Sequence, residues 1–152
     1  MKRIMSDITE MINIEAACET ARDMCQKVTE KELEFEDPIK AMTDLEEALL
    51  IIRGMHHRGE FSDPESFLGM VSTVMGIYAG ELMLQLSLAE KGFAWADTEN
   101  YPLPVLKQGT NGTEVNPIST VWKKLWNAES ETDGEGSIFM LYIIACGLTN
   151  LL

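Results

Sequence analysis

From Phe67 to Leu88 the chain runs for twenty-two residues with one charged side chain, Glu81. A stretch of about 20 apolar residues is long enough to cross a bilayer. Glu81 and Gln85 sit within it, and a carboxylate held in hydrocarbon without a partner costs several kcal/mol. The segment therefore predicts a helix buried at the centre of a protein core, in contact with several neighbours. Ile138 to Leu152 is also apolar but spans only fifteen residues, and it too reads as a buried core helix. No membrane association is expected.

The central helix is expected to open at Ser62-Asp63-Pro64-Glu65, where Ser62 and Glu65 have capping-box spacing, and to run to a stop at Lys91-Gly92. Along one side lie Gly69, Thr73, Gly76 and Gly80. Each interior glycine costs up to ~1 kcal/mol of helix stability. A strip of small residues at that cost suggests that another backbone comes close, or that the helix kinks there.

Two further helices precede it. The first is predicted from about Ser6, capped by Ser6 or Asp7, to about Glu30. The second starts at Asp37-Pro38, where the carboxylate accepts from free amides and the proline wastes no donor. Ile39, Met42, Leu45, Leu49, Ile52 and His56 then recur at steps of three and four, until Arg58-Gly59. Between these helices, residues 30–37 form a charged connector that either extends the first helix or loops.

After Gly92 the pattern changes. Phe93-Ala94-Trp95-Ala96-Asp97 alternates as a strand does, and Asp97 to Asn100 turns. Pro102 to Lys107 forms a second strand. Gln108 to Gly112 is turn chemistry with a favoured Asn-Gly pair, leading to a short strand Thr113-Glu114-Val115. Asn116-Pro117 repeats the helix start, and Ile118, Val121, Trp122, Leu125 and Trp126 form an apolar face. A polar loop from Glu129 to Gly136 precedes Ser137, which caps the last helix. The expected fold is α+β in a single domain covering residues 1–152, with three helices, an antiparallel meander of about 93–115, and two helices.

Twenty-five acids against twelve bases leave a net charge of −13. Phosphate backbones are bound through Lys and Arg, so no nucleic-acid partner is expected; a basic protein partner would be steered inward. The absence of a leader pattern and of a disulfide framework leads to an expected cytoplasmic location. Cys18 and Cys25, seven apart on one helix, stand roughly 10 Å apart, beyond the ~7 Å a disulfide tolerates. With Cys146 they read as reduced thiols. Most of the ten methionines fall on apolar helix faces and read as core filling.

Two places invite a functional reading. His56 and His57, with Glu60 and Asp63 nearby, are the weak candidates for a metal, although adjacent histidines point to different sides of a helix. Glu81, beside Tyr78, is the stronger candidate, because a carboxylate in an apolar helix must find a partner or stay protonated. Trp95, Tyr101, Trp122 and Trp126 are the aromatics that could line a pocket with it, Trp126 being the most exposed. The competing reading makes Glu81 a structural acceptor for a backbone amide, Trp95 or a lysine. No nucleophile elbow, phosphate loop or cofactor motif is present in the sequence, so no catalytic residue, cofactor or metal is assigned.

Several short motifs in the second half go together: Gly80-Glu81, Phe93-Ala94-Trp95, Pro104-Val105-Leu106, Val115-Asn116-Pro117 and Val121-Trp122-Lys123-Lys124-Leu125. With these, residues 69–147 resemble an uncharacterised family of small bacterial domains of unknown function. The resemblance implies a small sheet flanked by helices and brings no catalytic residues. The function expected from the whole is protein interaction, including self-association into a homodimer through the small-residue helix or an apolar surface. Neutralisation of a basic toxin is one form it could take. The alternative is a small-ligand-binding protein or enzyme built on Glu81 and the nearby aromatics.

Overall fold

Asx residues start four of the five α-helices among the described residues. The computed structural model describes residues 13–99, 101–109, 112–126 and 137–151. Helix α1 (Ile14–Thr29) opens at Asn13, whose Oδ1 accepts from the Ala16 N–H at 3.0 Å. The extended backbone of Asn13 (φ −85°, ψ 105°) prevents one helix from running through from Ser6; Ser6 and Asp7 themselves lie outside the described residues. Helix α2 (Pro38–His57) is capped by Asp37, which accepts from the Lys40 N–H at 3.3 Å. Helix α3 (Pro64–Met83) is capped by Asp63, not Ser62, with the Ser66 N–H at 3.3 Å. A carboxylate followed by proline outcompetes the serine, because the proline already holds the first helical φ.

The helix runs on past Met83 toward Lys91 as expected, but its hydrogen-bond pattern changes on the way. At Leu84 the hydrogen bonding widens into a π-helical turn, Leu84–Leu88, before Gly92 stops the element with φ 92°. Pro64–Leu88 is long and apolar enough to cross a membrane, but most of it is buried within the fold. Leu68, Val71, Met75, Ile77, Tyr78, Leu82 and Met83 are all fully buried. It is the central core helix.

The sheet follows as expected. Strands β1 (Phe93–Thr98), β2 (Tyr101–Gln108) and β3 (Glu114–Val115) lie in the order β1-β2-β3, with both pairs antiparallel. Trp95 stands opposite Leu106, and Leu106 opposite Val115, so these three share one face of the sheet. Thr110 and Asn111 of the expected hairpin turn lie outside the described residues. Among the described residues two helices complete the α+β order: α4 (Pro117–Trp126) and α5 (Ile138–Leu151). Asn116 caps α4 through the Ser119 N–H at 3.0 Å.

The small-residue strip of α3 is where the second half of the chain seats. A Cβ on Gly76 would lie 2.5 Å from Ile118 Cα and 2.8 Å from its backbone N. One on Gly80 would lie 2.4 Å from Trp95 Cζ2 and 3.4 Å from Pro117 Cγ. Gly69 is looser, with the Trp122 ring 3.9 Å away. The strip that sequence offered to a homodimer is thus filled by α4 and β1 of the same chain.

The connector 31–37 takes one of its two expected courses, a loop, while α5 departs from expectation for an identifiable reason. Glu30 turns the chain with φ 64°; then Leu33 is buried and Phe35 half-buried, while Glu32, Glu34 and Glu36 are exposed. The burial of Leu33 and Phe35 lays the segment against the core, and a turn closes it where the Asp37 N–H donates to the Glu34 carbonyl at 3.3 Å. Lys31 anchors it to Glu47 (2.8 Å) and to the buried Asp44 (3.8 Å), which also holds Lys40 at 2.8 Å. Helix α5 is not wholly core. It buries Ile138 and Ala145 but leaves Met140, Ile143 (59% exposed) and Ile144 (50%) facing out, because the fold covers only one of its sides. Its start is held from α2: Glu46 accepts from the Ile138 N–H at 2.5 Å and from the Ser137 hydroxyl at 3.4 Å.

Gly76 and Gly69 separate packing from propensity. Gly76→Ala is expected to lose about 1–3 kcal/mol, since the clash is with backbone and overpacking outweighs the helix gain. Gly69→Ala is expected to gain about 0.5–1 kcal/mol, its new methyl meeting only ordinary contact. Urea unfolding of both variants checks the opposite signs.

Candidate functional site around Glu81

Glu81 lies on the last turn of α3, five residues beyond the tight contact at Gly76. It is half-buried, and its Oε2 accepts from the Trp95 indole N–H at 2.9 Å. The indole reaches it because Gly80 leaves room for the ring against the helix backbone. This hydrogen bond to a charged acceptor is worth about 1.5–3 kcal/mol, and it ties the first strand to the central helix. One of the three structural partners expected for Glu81 is therefore present.

The other expected members of the site go elsewhere. Tyr78 is fully buried on α3 and stacks on Phe35 of the connector, with ring centroids 4.6 Å apart at 11°. Its hydroxyl has no hydrogen-bond partner among the described residues, and burial pushes its ionisation upward. Tyr101 opens β2 opposite Thr98, half-buried, and burial raises its pKa too. Trp122 and Trp126 tilt against each other at 5.1 Å, and the Trp126 ring meets His56 edge-on at 4.5 Å. Gly69, beside Trp122, and Gly80, beside Trp95, are eleven residues apart on α3, which is roughly 16 Å of helix. Trp122 and Trp126 therefore do not join Glu81. Trp126 is half-buried, as are Trp95 and Trp122, and its indole nitrogen is buried.

Of the histidine pair, His56 is taken up in packing and His57 is exposed. His56 rests on Trp126 with its pKa lowered, first by burial and then by the neighbouring His57. Glu60 pairs with Arg58 at 2.6 Å and Asp63 caps α3. Among the described residues no group of three His, Cys, Asp or Glu is placed to hold a metal ion.

What sequence reasoning missed is the depression beside Glu81. An open depression of about 360 Å³ lies beside it, lined by Phe35, Glu81, Leu84, Gln85 and Ala89. The π-helical turn supplies Leu84 and Gln85, and the Gln85 amide donates to the Phe35 carbonyl, pinning the connector as the far wall. The one available signal was the alternation of Leu33 and Phe35 among glutamates. On the other side of the same turn, the Ser87 hydroxyl lies 2.5 Å from the Tyr142 hydroxyl of α5 and 3.6 Å from Cys146 Sγ. Under the site, the buried Cys18 of α1 feels the charge of Glu81. Its thiol is pushed up to about 12 by burial first and Glu81 second, with Arg22 opposing.

That thiol carries a pH prediction. Below pH 9, its ordinary value, folded and unfolded chains both keep the proton and the contribution to stability is intact. Between about 9 and 12 the unfolded chain releases it while the folded chain holds it, so stability falls with rising pH, at up to about 1.4 kcal/mol per unit for one such group. Denaturant titrations from pH 7 to 11 are expected to show a shallower fall for Cys18→Ala than for the unsubstituted chain.

In comparisons with known proteins, the chain matches no family model, no curated protein and no solved structure.

Proposed function

We propose that this chain is a protein-interaction module that receives a basic partner on the face formed by the 31–37 connector. The observation that supports this most is the way the connector is built. Leu33 and Phe35 fasten it inward, while Glu32, Glu34 and Glu36 are all exposed. Three surface depressions share this segment. One involves Glu32, Glu34, Asp37, Lys40 and Ala41; a second is formed with Arg22, Asp23 and Gln26 of α1; the third is the one at Glu81. Arg22 and Lys40 temper the local charge, but the chain as a whole carries −13. Such a surface speeds encounter with a cationic protein. Neutralising a basic toxin is one form such binding takes.

Self-association would need a different face, since the α3 strip is occupied; the exposed side of α5 is the apolar surface left for it. The small-ligand or enzyme reading draws support from the depression at Glu81. It loses the aromatic cage expected around that residue, because Trp95 alone among those aromatics bonds to it.

The test compares the unsubstituted chain with Glu32→Gln/Glu34→Gln/Glu36→Gln in affinity capture from native lysate at low and moderate ionic strength. The expected result is retention of basic proteins that weakens with salt and is reduced at least tenfold by the triple substitution. Equal capture by both chains, or none at any ionic strength, contradicts the reading.

A further inference from the structure

The depression at Glu81 has a one-sided hydrogen-bonding character. Trp95 occupies Glu81 Oε2, and the second carboxylate oxygen has no partner among the described residues. Among them no Lys, Arg or His stands within ion-pair distance of Glu81; the ion pairs of Lys31, Lys40 and Arg58 all go to other acids. The Gln85 side-chain nitrogen donates to the Phe35 carbonyl, which leaves its amide oxygen as an acceptor. Phe35, Leu84 and Ala89 supply the rest of the lining as apolar surface. A ligand that suits these walls must bring hydrogen-bond donors and positive charge at its tip, and an aliphatic stem behind it.

We propose that this depression is the anchor for one lysine or arginine side chain of the basic partner, its stem on Phe35 and Leu84 and its cationic head at Glu81 and Gln85. The inference rests on the interaction reading above and adds the site of recognition. Trp95 acts here as a positioning residue: its N–H fixes the carboxylate so that little rotamer freedom is lost on binding. The depression is shallow and open, which suits a single side chain presented from a protein better than a whole small molecule enclosed on all sides.

The test uses the full ¹⁵N-labelled chain and three small probes: N-acetyl-lysine methylamide, N-acetyl-arginine methylamide and the neutral N-acetyl-norleucine methylamide. The readout is the Trp95 indole N–H resonance, distinguished among the three tryptophans by Trp95→Phe. A saturable shift with either cationic probe and none with the norleucine probe is expected. Glu81→Gln, whose amide oxygen still accepts from Trp95, is expected to weaken binding at least tenfold, whereas Glu34→Gln, equal in charge change but outside this depression, leaves it within twofold. An equal response to the norleucine probe, equal losses in the two variants, or no saturable shift with either cation overturns the proposal. The probe comparison needs no substituted chain, so it decides even where Glu81→Gln fails to fold. Capture of a basic protein through the connector with no probe response overturns the anchor while leaving the interaction reading in place.

Discussion

The close approach of α4 and Trp95 to α3 organises this protein. Two glycines one turn apart, Gly76 and Gly80, remove the side chains that would hold the second half of the chain away, so that Ile118 backbone and the Trp95 ring lie directly on the central helix. Each glycine costs up to about 1 kcal/mol of helix propensity. Complete burial of Ile118, Val121 and Leu125, at about 1.5–3 kcal/mol each, more than offsets that. Glu81, one residue beyond Gly80, then falls within reach of the indole N–H, and a helix–strand contact becomes a hydrogen-bonded one.

The polar groups inside the fold follow a common logic. Asp44 is 4% exposed and is held by two lysines. Glu46 satisfies the start of a helix 92 residues away in sequence. Glu81 takes the indole. In each case a carboxylate at least partly withdrawn from water is matched to a donor, which offsets part of its desolvation. The three together fasten the connector, α5 and the sheet to the two central helices. The same connector offers its remaining acids outward, so the segment that closes the fold also provides the acidic surface.

Much of this was legible in residues. Asp37-Pro38 and Asn116-Pro117 each started a helix where their chemistry placed it, and the tryptophan-bearing meander formed with its central strand at 101–108. The strip of small residues did mark a close approach, although the partner was Ile118 and Trp95 and not a second copy. Trp95 was among the donors foreseen for Glu81. What could not be read has physical causes. The apolarity of α5 says nothing of how many sides have neighbours, so Ile143 and Ile144 looked like core. The Glu46–Ile138 hydrogen bond joins positions with no local signal. Trp122 and Trp126 share a composition with Trp95 but sit at the opposite end of α3. In the connector, acid content masked the alternation that Leu33 and Phe35 wrote into it.

The most direct measurement is hydrogen exchange of the Trp95 indole N–H in Gly80→Ala. A methyl there would stand 2.4 Å from the indole Cζ2 and must displace the ring from Glu81. The account predicts that the indole proton, protected in the unsubstituted chain, exchanges at least tenfold faster in this variant. Unchanged protection would show that the glycine does not seat the ring, and would contradict the arrangement on which the site depends.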